Sequence, residues 1–118
     1  PPLGKINILA PITGSGLLYN ALVNVQDSNA FKITISVDGV DYSITPDELI
    51  MYETSYIDNN NDWSWVYISS PPGPPFSMRF KSVNGLKFRT QLSIAIENTS
   101  SDSAITLGGY RIFAEVYI

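Results

Sequence analysis

Apolar and polar residues alternate along much of this chain, most sharply at Phe31-Lys-Ile-Thr-Ile-Ser-Val37. A period of two is that of a half-buried β-strand, whose successive side chains point to opposite faces. The pattern predicts Phe31, Ile33, Ile35 and Val37 on the core side, with Lys32, Thr34 and Ser36 on the other. Asp38-Gly39 follows at once, and then Val40-Asp-Tyr-Ser-Ile44. An Asp-Gly pair between alternating runs predicts a two-residue hairpin, because a type I′ turn needs positive φ at both central residues. Asn84-Gly85 is a second such pair and predicts a hairpin between Phe76-Ser-Met-Arg-Phe80 and Leu86-Lys-Phe-Arg89. Leu92-Ser-Ile-Ala-Ile96 continues the pattern after a bulge near Thr90.

Less sharply bounded strands are predicted over residues 7–10, 17–25, 63–68, 104–107 and 110–118. In the last of these, Tyr110, Ile112, Ala114, Val116 and Ile118 are expected to face the core, with Phe113 and Tyr117 outward around Glu115. About eight strands, with no sustained helical stripe, predict an all-β fold: an antiparallel two-sheet sandwich, jelly-roll-like. Thr45-Pro46-Asp47-Glu48 reads as a capping box and allows at most one short helix, near 46–52. At 118 residues, 44% of them hydrophobic, the chain suits one domain, 1–118, with its own core.

Composition narrows the chemistry. The chain has no histidine and no cysteine. Their absence excludes a Ser-His-Asp triad, a histidine general base, disulfides, cysteine nucleophiles and thiolate metal sites. The acidic residues are scattered, and a glycosidase needs two carboxylates held across a cleft that so small a sandwich has little material to build. We therefore expect no enzyme, no cofactor and no resident metal. Seven basic residues against eleven acidic ones, spread along the chain, form no phosphate-tracking stripe, so nucleic acid is not an expected partner. No apolar run approaches the roughly 20 residues of a helical membrane span. The first residues lack a secretory-signal pattern, and a start at Pro1-Pro2 leads us to expect an excised or processed segment.

Five segments bear on binding. Asp58, Asn60 and Asp62 alternate like the start of a calcium loop, but Trp63 stands where the turn glycine belongs and no closing glutamate follows. A solvated loop tip rich in turn formers is the better reading. Trp63, Trp65 and Tyr67 alternate along one strand, with Val66 and Ile68 between them. Such aromatics form either core or subunit interface, or a flat platform on which a sugar ring stacks beside the Asp58–Asp62 amides and carboxylates. Phe113 and Tyr117, two outward aromatics on the last strand, mark a candidate subunit interface. Ser70-Pro-Pro-Gly-Pro-Pro75 reads as a stiff loop, and Thr13-Gly-Ser-Gly16 precedes a strand where a phosphate cradle needs a helix.

The run Gly14-Ser-Gly-Leu-Leu-Tyr-Asn-Ala-Leu-Val-Asn-Val25, the Val37-Asp-Gly-Val40 turn, Pro75-Phe-Ser-Met-Arg-Phe-Lys-Ser82, the Leu92–Asn98 strand and the terminal Tyr110-Arg-Ile-Phe-Ala-Glu-Val-Tyr-Ile118 give an order of elements. That order resembles the small β-sandwich domains of bacteriophage tails, baseplates and other virion surfaces. The resemblance spans most of the chain without an invariant motif. It implies a virion location, a structural or host-adhesion role, and self-association of trimeric or higher symmetry or docking on other virion proteins. A host-surface glycan is then a possible ligand. The alternative expectation is a carbohydrate-binding module of a secreted or cell-surface protein.

Overall fold

The structure, a computed structural model, describes residues 4–26, 28–46, 55–58, 63–67, 76–100 and 105–117, and for 55–58, 63, 66 and 67 the backbone alone. The described residues form nine strands in two antiparallel sheets. One sheet has four strands in the order β1 (Lys5–Thr13), β8 (Gln91–Asn98), β3 (Phe31–Val37), β4 (Val40–Ile44). The other has five: β5 (Ser55–Asp58), β6 (Trp63–Tyr67), β7 (Phe76–Phe88), β2 (Ser15–Val25), β9 (Leu107–Tyr117). The chain is therefore an all-β sandwich. The short helix expected near 46–52 falls, beyond Pro46, outside the described residues.

Inward side chains of both sheets fill a single core. Phe31, Ile33, Ile35 and Val37 are buried along β3, and Leu92, Ile94 and Ile96 along β8. They meet Leu18, Ala21, Val23 and Val25 of β2 and Phe76, Met78, Phe80 and Phe88 of β7. Alternation in β2 changes phase at Tyr19. Between the pairs Leu18–Ala114 and Asn20–Phe113, β2 advances two residues and β9 only one, so an extra residue sits in β2. Such a bulge keeps both halves of the strand facing the same core.

β1 pairs with β8 and β2 with β7, so the β1–β2 ribbon lies antiparallel against the β7–β8 ribbon. This wrapping gives the sandwich its jelly-roll-like character. Both ribbons cross between the sheets at one corner, through Gly14 and through Arg89 and Thr90, and the Gly14 N–H donates to the Thr90 carbonyl at 2.9 Å. The β3–β4 turn is tied to the same corner. The Asp38 carboxylate accepts from the backbone N–H groups of Arg89 (3.0 Å), Thr90 (2.8 Å) and Gln91 (3.1 Å), and from the Thr90 hydroxyl (3.0 Å). The Thr90 N–H above all, helped by the other donors, holds the Asp38 carboxyl down at about 2. Hydrogen bonds to the charged form outweigh the partial loss of hydration.

The two turn signals part company. At Asp38-Gly39 φ is 52° and 84°, and β3 and β4 form the expected hairpin. At Asn84-Gly85 only the glycine has positive φ, 86°, and β7 runs on as one strand. Between Leu18–Leu86 and Asn20–Lys81, β7 advances five residues against two in β2, so residues 82–85 oppose Tyr19 alone. In place of the predicted second hairpin there is thus an enlarged bulge, four residues of β7 against one of β2. One positive-φ centre kinks a strand, whereas a type I′ reversal needs two. Arg89 and Thr90, read as a bulge, are the corner between sheets.

Two further expectations change. β5 was not predicted, and Leu107, expected in a separate short strand from Ala104, opens β9, while Ala104 lies outside the described residues. In β9, Tyr110, Ala114 and Val116 do sit opposite the inward Val23, Leu18 and Gly16. They are nevertheless exposed, Tyr110 by 54% and Val116 by 41%, and in β9 only Leu107 and Ile112 pack partly on the core. β9 is an edge strand, and the opposing sheet does not reach across it. Ile118 lies outside the described residues.

Candidate functional site

Exposed apolar side chains concentrate on β9. It displays Tyr110, Phe113, Val116 and Tyr117, while the other described residues expose only Ile6, Val40 and Val83 as large hydrophobics. Phe113 is 55% exposed and Tyr117 49%. Both lie on the outer face of the five-stranded sheet, as expected from the alternation.

Pairing of β9 with β2, and of β2 with β7, builds that outer face in rows. Arg111 sits beside Leu22 and Leu22 beside Arg79; Phe113 beside Asn20 and Asn20 beside Lys81; Glu115 beside Leu17 and Leu17 beside Lys87. The face therefore carries four of the seven basic residues, although the chain is net acidic. Cations scattered in sequence meet because one strand pairs with two distant ones. The order of strands, which no local pattern encodes, brings them together.

Glu115 has aromatic hydroxyls close by. The Tyr19 hydroxyl donates to Glu115 Oε2 at 3.4 Å, a long bond. Loss of hydration, then the Glu115 charge, push the Tyr19 phenol above its ordinary range, and the same two causes in the same order raise Tyr117. Both phenols are thus neutral donors at physiological pH. At the start of β9 an open hollow is lined by Leu22, Asn24, Gly109, Tyr110 and Arg111, with Asn24 Nδ2 donating to Ser77 Oγ at 2.6 Å. The arrangement suits contact with another surface: apolar and aromatic area, interspersed with charge of both signs.

The sugar-platform reading of the β6 aromatics does not hold for Trp65. It is 1% exposed and pairs in register with inward Phe80, their rings edge-on with centroids 5.6 Å apart. With apolar residues on both sides of the strand, alternation alone leaves the inward face undecided; pairing with Phe80 decides it. The backbones of Asp58, Trp63 and Tyr67 lie in β5 and β6, while their side chains, and Asn60 and Asp62 entirely, are outside what the structure describes. Among the described residues no cluster of three or more acidic groups could hold a metal ion, and no helix is long and apolar enough to cross a membrane.

No protein-family model and no curated protein matches this chain.

Proposed function

We propose that this domain is a non-enzymatic assembly module that associates through β9, at the edge and on the outer face of the five-stranded sheet. The supporting observation is the gathering of Tyr110, Phe113, Val116 and Tyr117 on that one strand. Apolar exposure gathered along one edge strand, with Tyr110 and Val116 on its inner side and Phe113 and Tyr117 on its outer side, supports an interaction surface there. The sequence resemblance to virion-surface sandwiches suggests the setting, a structural or host-adhesion part of a virion or of another extracellular assembly. Burial of Trp65 weighs against a carbohydrate-binding module built on β6.

The test is sedimentation velocity of the isolated chain over a concentration series. Wild type is expected to associate, and Phe113→Asp to run as a monomer at the same concentrations with an unchanged β-sheet circular dichroism spectrum. A variant that assembles like wild type would refute the reading.

A further inference from the structure

We infer that the occupant of the β9 edge is the β9 strand of a second copy, paired antiparallel about a two-fold axis through Phe113. This rests on the assembly reading above and goes beyond it by fixing the partner, the symmetry and the register.

The first ground is the contrast among the four edges. A sheet edge presents unpaired N–H and C=O groups, and folded proteins blunt it with short strands, proline, charge or irregular register. β1 carries Pro11 and two register shifts against β8. β4 has only five residues and β5 only four. β9 has eleven residues, no proline, and an unbroken run from Gly109 to Tyr117; the one irregularity beside this run is the extra residue in β2. Among the described residues no strand lies beyond it. An edge so long and apolar is one that is filled in the working protein.

The second ground is charge. Arg111 and Glu115 are the charged residues of β9, and they stand two positions to either side of Phe113. Antiparallel pairing centred on Phe113 places Arg111 opposite the partner's Glu115 and Glu115 opposite the partner's Arg111. Both pairs then lie on the outer face, flanking an aromatic pair of Phe113 with the partner's Phe113. Tyr110 falls opposite the partner's Val116, and Ile112 opposite the partner's Ala114. Every cross-strand pair from 110 to 116 is then apolar or oppositely charged, the combinations that stabilise antiparallel strands. Moving the axis by one residue to Ile112 sets Arg111 against Phe113 and leaves Glu115 opposite Gly109. A two-fold contact of this type is self-complementary by construction.

The test uses the absence of cysteine from the chain. Phe113→Cys, mildly oxidised, is expected to give a covalent dimer on non-reducing gels, because the two thiols face each other on the axis. Tyr110→Cys is expected to give none, since its copies would lie about 20 Å apart along the strands, beyond disulfide reach. In parallel, Arg111→Glu and Glu115→Arg are each expected to raise the dimer Kd about tenfold or more by setting like charges opposite one another. The double swap is expected to bring it back to within about threefold of wild type. The charge swap decides the matter if the cysteine itself weakens the dimer. An oligomer that Phe113→Asp dissociates, but that shows neither the cross-link nor the rescue, would overturn this pairing and leave the assembly reading standing. A wild-type monomer at about 1 mM would overturn both.

Discussion

Single residues report the faces of the sheets most directly. Ile35 is 1% exposed within β3, while its neighbour Thr34 points away from the core and shares a 2.9 Å hydroxyl–hydroxyl hydrogen bond with Ser43. Ile35→Ala is expected to cost about 2–5 kcal/mol, the range for emptying an enclosed aliphatic site. Thr34→Ala loses only an exposed cross-strand pair and is expected to cost below about 1 kcal/mol. Urea unfolding of the two variants checks this, and equal losses would mean that β3 is reversed. The inward set of β3 was legible in sequence because four apolar residues alternate with polar ones. Trp65 was not, because apolar residues flank it on both faces of β6 and only its pairing with Phe80 chooses between them.

At the level of elements, a glycine preceded by Asn or Asp marks a place where the chain takes positive φ, without saying how many residues do so. Asp38 accepts it, at 52°, and a hairpin follows; Asn84 does not, and the strand bulges and continues along β2. The difference lies in tertiary pairing, as Leu86 and Phe88 still have Leu18 and Gly16 to pair with. Gly85 cannot be replaced freely. A Cβ there would approach Leu17 Cβ to 2.8 Å, on a backbone at φ 86° that side chains rarely adopt. Gly85→Ala is therefore expected to destabilise by about 1–3 kcal/mol. Gly39 also has positive φ but open space around it, so Gly39→Ala is expected to cost less. Thermal melts of both variants give the comparison, and a Gly85→Ala protein as stable as wild type would contradict the bulge geometry. The same dependence on pairing hid the exposure of β9. Its apolar alternation is that of a covered strand, and only the strand order shows that it stands at an edge.

For the whole molecule, the point of concentration is the corner where both ribbons change sheets. Three segments distant in sequence meet there, at Gly14, Asp38 and Thr90, and one carboxylate joins the β3–β4 turn to the β7–β8 crossing. Asp38 thereby fastens the hairpin of one sheet to the strand that arrives from the other. Its carboxyl titrates at about 2 in the fold against 3.8 ordinarily, held down by the Thr90 N–H first and then by its other donors. A carboxyl lowered by folding favours the folded state when charged. Its contribution is complete above the ordinary value and is lost as the pH falls through the folded one. Asp38→Asn removes the charge while keeping a residue that tolerates positive φ at a turn. The variant is expected to be less stable than wild type at neutral pH, by a constant margin down to about pH 4, with the margin closing as the pH approaches 2. Because the corner is open to water, added salt should narrow the margin as well. Thermal melts of both proteins across this range read the margin directly, with the other carboxyls cancelling in the difference. A margin that stays the same at pH 2.5 as at pH 7 would show that the Asp38 charge contributes nothing to holding the two sheets together at this corner.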